Sequence, residues 1–136
     1  MKNKTMKDFK TIFFFLKLPI SISLAGHGLV RIPKLQIFAE GMVKSMEKSV
    51  IPEALMMPFG YILPFLEAIV GIFLLIGFKP KLSIYAAISL MTILIFGSSS
   101  VENWSAVEAQ LLHSLYLFVL LWFYLKYSSE ENQPLI

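Results

Sequence analysis

The chain has 136 residues, 57% of them hydrophobic and 15% charged, with a mean hydropathy of +0.71 and a formal net charge of +3. A soluble domain carries roughly a quarter charged residues, and here the few charges are segregated, leaving long apolar stretches. That excludes a disordered chain, a basic nucleic-acid-binding domain and an ordinary cytosolic enzyme, and leaves a small polytopic membrane protein. With no cysteine, disulfides, thiolate metal sites, iron–sulfur clusters and thiol relays on this chain are excluded as well.

Residues 1–10 form a basic N-terminus carrying Lys2, Lys4, Lys7 and Lys10. A membrane crossing takes about 20 mainly apolar residues. Four stretches qualify, at 11–30, 58–77, 82–97 and 107–125. The expected fold is an all-α bundle of four transmembrane helices over residues 11–126. The first span follows a basic segment but no small-residue cleavage pattern, so it reads as retained. After it, Leu35, Phe38, Met42 and Met46 recur at intervals of three and four. That predicts a short amphipathic helix over 34–48, lying in the interface, with Pro33 in its first turn and Pro52 at its end. Phe78–Lys81 is a tight basic turn, and residues 127–136 form a polar tail. Seven lysines fall on the side of the termini, against four lysines and arginines on the other side. Both termini are therefore expected in the cytoplasm. Lys17, six residues inside the first span, is expected to snorkel, and Phe13–Phe15 to face lipid or pack.

Ionisable groups at membrane depth cost several kcal/mol unless paired or solvated, so the few present stand out. In the second span Gly60, Pro64, Glu67 and Gly71 are spaced four, three and four apart. Small residues on one stripe admit a neighbouring helix, and Glu67 then points into that contact. In the first span Ser23, His27 and Arg31 share a face; in the fourth, Gln110 and His113 do. By helical rise, His27, His113 and Glu67 sit at depths within about 5–10 Å of one another. Three helices thus bring polar groups to one half of the bundle, the outer half in the expected topology.

Such a cluster suits a quinone: an imidazole donates to a carbonyl oxygen while a carboxylate takes up a proton. In that reading Glu67 is the proton acceptor, His27 and His113 are donors at the ligand, Arg31 is an electrostatic anchor and Gln110 lines the site. Haem held by both histidines, or a divalent metal, is the weaker reading, because two scattered histidines define neither. The bland reading is a packing stripe with hydrogen-bonded histidines.

The order of segments carries a family resemblance. A first span ending in GHGLVRIPKL is followed by an interfacial FAEGM segment, then by LPFLEAIVGIFLLIGF and a glycine–aromatic–basic turn at Gly77–Lys79. With Gly28, Arg31 and Lys34 at the end of the first span, and the P-x-x-E-x-x-x-G run of Pro64, Glu67 and Gly71, residues 17–125 resemble the DoxX family. The resemblance implies a four-helix bundle in a bacterial inner membrane and a link to quinone-dependent oxidoreductases. The fold is also similar to that of the vitamin K epoxide reductase group, whose chemistry needs cysteines this chain lacks. The expected function is a small subunit or accessory protein of a quinone-linked oxidoreductase, not catalytic by itself, with the bilayer, a catalytic subunit and a further copy of the chain as partners. The alternative is a non-catalytic scaffold or chaperone-like protein that binds a partner helix on the Glu67 stripe; a small-molecule or lipid carrier is a third.

Overall fold

The computed structural model describes residues 2–128, with side chains from Asp8 onward. The lysines at 2, 4 and 7, as side chains, and the tail from 129 lie outside what is described. The described residues form five α-helices: α1 (Lys2–Arg31), α2 (Leu35–Ser45), α3 (Glu53–Ile76), α4 (Pro80–Ser100) and α5 (Trp104–Ser128). A 3-10 turn, Ile32–Lys34, joins α1 to α2. Four of these helices, all but α2, are long and apolar enough to cross a membrane. The fold is a four-helix membrane bundle.

Each long helix runs past the apolar stretch that marked it, because a helix does not end where its hydrophobic surface does. Pro52 does not terminate α2, which stops at Ser45; it stands in extended conformation immediately before α3 and starts that helix. At the other end of α3 Gly77 adopts a left-handed conformation (φ 75°). The Phe78 N–H donates to the Phe73 carbonyl at 2.9 Å and the Gly77 N–H to that of Leu74 at 3.2 Å. This is a Schellman ending, and Pro80 then opens α4.

The helices pack in the cyclic order α1–α3–α4–α5, with α1 against α3 and α4 against α5 the most extensive interfaces and α2 laid on α3. The centre is filled by Leu24, Leu63, Leu74, Ile84, Leu117 and Leu120, each fully buried. Phe13 joins this core, whereas Phe14 and Phe15 face outward. Trp104 and Trp122, both exposed on α5, are separated by about 27 Å of helix rise, close to the thickness of a hydrocarbon core. Lys17 reaches along the bundle to the turn that follows α3. It is 7% exposed, and its ammonium lies 3.0 Å from where a Cβ on Gly77 would stand. There it meets the negative end of the α3 dipole, which explains a buried lysine that meets no carboxylate among the described residues.

Helices α1 and α3 approach closely because two glycines allow it. A Cβ added at Gly28 would stand 2.2 Å from the Pro64 carbonyl oxygen, and one at Gly71 2.2 Å from the Ala25 nitrogen. Gly60, the third small residue of the stripe, faces Ala39 of α2. Gly26 meets nothing within 4 Å. Replacing Gly71 or Gly28 by leucine is expected to lower stability by about 1–3 kcal/mol or more through overpacking, whereas Gly26→Leu leaves it unchanged or raised. Thermal unfolding of the three variants in one detergent checks this; equal midpoints would show that the α1–α3 contact is loose.

Candidate functional site

The site lies at the end of the bundle that carries α2. Because α1 and α3 run antiparallel with residue 25 against 71 and residue 28 against 64 and 68, Arg31 arrives beside Glu67. Arg31 Nη1 donates to Glu67 Oε2 at 2.5 Å. Glu67 is 3% exposed and Arg31 29%, so the carboxylate is buried while its partner reaches toward the cavity. The guanidinium also lies over the Phe38 ring, 4.6 Å from its centroid, a cation–π contact that ties in α2. One arginine thus clamps three helices.

His113 on α5 is held at both nitrogens. Nδ1 is 2.8 Å from the Ala109 carbonyl oxygen, which can only accept, so in the neutral ring the proton sits on Nδ1. Nε2 then receives the Ser23 hydroxyl at 2.9 Å. The expectation that His113 donates to a ligand needs correction on this ground: its one N–H is spent on its own helix, and its lone pair is taken by α1. His27 differs. Its ring lies 5.9 Å from that of His113, tilted by 34°, on an exposed position lining the cavity. It makes no side-chain hydrogen bond among the described residues.

Gln110 donates through Nε2 to Ser98 Oγ at 3.0 Å, joining α5 to α4. Its Oε1 is buried and unpartnered, a cost of about 1–3 kcal/mol unless something donates to it. Glu108, the remaining acid of the fourth span, faces outward.

These groups bound one cavity of about 740 Å³. His27, Arg31, Glu67, Gln110 and His113 all line it, and the rest of its wall is largely apolar, with Phe38 and Met42 from α2, Met46 just after it, and Phe59 and Met91 opposite. Methionine side chains adapt to irregular ligands. All five predicted ligand residues therefore meet in one place, while Gly60, Pro64 and Gly71 face α1 and α2 and not the cavity. With the stripe filled from within the chain, no surface is left on it for a partner helix, which removes the scaffold reading in the form that used the Glu67 stripe. Sequence reasoning missed Phe38 as the arginine's ring partner and Ser98 as the glutamine's. Each depends on a pairing across helices, although Phe38 stood on the predicted amphipathic face.

A four-helix membrane bundle with an amphipathic cavity, bordered by a buried ion pair and an oriented imidazole, defines a small integral membrane protein. The family model for methylamine utilisation protein MauE matches residues 22–108. That span holds α2, α3, α4 and the arginine clamp, and the chain belongs to the MauE family. Neither the curated proteins nor the solved structures include a significant match. The resemblance to DoxX is overturned by this match. Its motifs were the small residues, proline and acid that close helix packing and one buried ion pair demand, and those requirements do not distinguish one four-helix family from another.

Removal of the carboxylate in Glu67→Leu is expected to cost about 3 kcal/mol, because Arg31 is left charged and unpaired. The double variant Arg31→Met/Glu67→Leu, apolar on both sides, is expected to recover most of that loss. A double-mutant cycle on unfolding midpoints measures the coupling; additive losses would show that the two side chains stand apart.

Proposed function

We propose that this chain is a membrane-embedded accessory protein of an amine-oxidising system, as the family's methylamine-utilisation description suggests, and that it holds a quinone-type ligand in the cavity at the α2 end. The carrying observation is the division of that cavity's wall: polar side chains gather on α1, α3 and α5, and apolar ones from α2 and the facing helices make up most of the remainder. A ligand complementary to it has a compact polar head and an apolar body, as a quinone with its tail has. Binding sites of this kind bury most of the ligand against apolar walls and orient it with a few polar groups.

The roles follow from the hydrogen bonds. His27, with no partner of its own, donates to a carbonyl oxygen of the head. His113, fixed by Ala109 and Ser23, supports the tilted His27 ring beside it. Glu67 serves as the counter-ion that sets Arg31, since its carboxylate is already engaged, and the guanidinium N–H groups outside that pair are donors at the polar end of the cavity. No electron-transfer group is implied on this chain, so oxidation and reduction fall to a partner. The expected orientation, with both termini in the cytoplasm, puts this cavity on the outer side of a bacterial inner membrane.

The test is a titration of a short-tailed quinone analogue into the protein in lipid nanodiscs. One saturable site is expected. Gly41 lines the cavity and has nothing within 4 Å of an added Cβ, so Gly41→Phe fills the space without disturbing the helix and is expected to abolish binding. His27→Phe, which removes one hydrogen bond, is expected to weaken it about tenfold. Absence of binding to the unmodified chain, or undiminished binding to Gly41→Phe, refutes the proposal.

A further inference from the structure

At the opposite end of the bundle, the basic turn between α3 and α4 borders a second cavity of about 330 Å³, lined by Lys79, Pro80, Lys81, Leu82, Tyr85 and Tyr124. Two ammonium groups and two phenols line one small space. Among the described residues neither lysine is paired with a carboxylate, and neither phenol makes a hydrogen bond, in contrast to Tyr116, whose hydroxyl donates to the Leu16 carbonyl. Among the described side chains Asp8 is the acid at this end, against Lys10, Lys79, Lys81 and Lys126, and the acids on α3 and α5 and in the connections lie toward the other end, so the local field is positive.

The backbone holds Lys79 in place. It stands in the left-handed region at φ 40°, a conformation that costs a non-glycine residue about 1–2 kcal/mol. Lys79 lies between the Schellman ending of α3 and Pro80, and the Ser83 N–H and hydroxyl bond to the carbonyls of Lys79 and Phe78 at 3.0 and 2.7 Å. The turn is therefore fixed rather than free to relax when a charge approaches. Beside the cavity the surface becomes apolar: Ile76, Phe78 and Leu82 are all well exposed, on helix ends that enter the bilayer here. A basic mouth directly above an apolar flank matches a phosphodiester whose acyl chains run down the helix.

We propose that Lys79, Lys81, Tyr85 and Tyr124 form a headgroup site for one anionic phospholipid, with the lysines meeting the phosphate, the phenols donating to its oxygens, and the acyl chains lying against Leu82 and Phe78. The site is independent of the quinone cavity and stands whether or not that cavity is filled. Basic pockets at the ends of membrane helices recognise lipid phosphates through this combination of charge and depth.

Native mass spectrometry of the full chain, extracted from nanodiscs containing equal phosphatidylglycerol and phosphatidylcholine, reads the site directly. One phosphatidylglycerol retained per chain is expected, with phosphatidylcholine lost. Lys79→Gln/Lys81→Gln is expected to reduce retention about thirtyfold. Tyr85→Phe/Tyr124→Phe, which keeps both rings, is expected to reduce it by a smaller factor. Lys44→Gln/Lys48→Gln at the other end is expected to leave retention unchanged. Unfolding midpoints in pure phosphatidylcholine discs verify that the variants fold, and the phenol variant keeps the test open should the lysine variant not fold. Equal retention of the two lipids, or equal loss from the Lys44/Lys48 control, overturns the proposal. So does displacement of the lipid by millimolar inorganic phosphate, which would assign the pocket to a free anion.

Discussion

The ion pair between Arg31 and Glu67 is the constraint around which the α2 end is organised. A lone carboxylate buried at that depth would be strongly disfavoured, so the helices that carry the two groups have to meet with their faces and register matched. The glycines provide that match. Gly28 lies one turn before Arg31, and Gly71 one turn after Glu67; in antiparallel helices both fall on the same side of the charged pair, so the backbone approach they permit sets the register that leads up to it. Moving either helix by one residue would rotate its charge out of the contact by about 100°. The ring of Phe38 on the far side of the guanidinium then fixes where α2 comes to rest.

From that anchoring the cavity follows. Helix α2 is drawn onto α3, with Ala39 seated on Gly60, and its Met42 and Phe38 turn inward. It has no comparably extensive contact with α4 or α5, so the region between α2 and that hairpin stays open as the cavity. The polar groups beyond the ion pair are arranged by the α4–α5 hairpin. Its short turn brings Ser98 opposite Gln110, and one helical turn further His113 reaches across to Ser23 of α1.

Much of this was legible in the sequence, and the reason lies in the periodicity. Hydropathy located the four spans because a bilayer imposes length on any helix that crosses it. The three- and four-residue spacing of polar side chains placed His27, Arg31, Glu67, Gln110 and His113 on inward faces, and equal rise per residue put them near one level. Pairing was not legible. Arg31 read as an anchor near the surface and Glu67 as a free base, since nothing within either segment states that they touch; the register between α1 and α3 decides it. For the same reason His113 read as a donor, although its N–H is directed to Ala109 one turn back on its own helix. That Lys17 meets the end of α3, sixty residues later in sequence, was not legible either. The misreading of the family has a related cause: short runs of glycine, proline and acid record what a close helix contact requires, whereas kinship is spread over the whole matched length from residue 22 to 108.

The two ends of the bundle use their cations in opposite ways, and this separates the roles proposed for them. Toward the α2 end the membrane-depth arginine is turned inward and neutralised, so the cavity beside it keeps a polar but nearly uncharged character suited to a neutral head with an apolar body. At the other end Lys17 meets the α3 dipole from within the bundle, and among the described residues Lys79 and Lys81 on the turn are paired with no carboxylate. An internal cation that answers the helix end releases the surface cations for something outside the chain. In a bilayer the anion present at that depth in the highest concentration is the lipid phosphate.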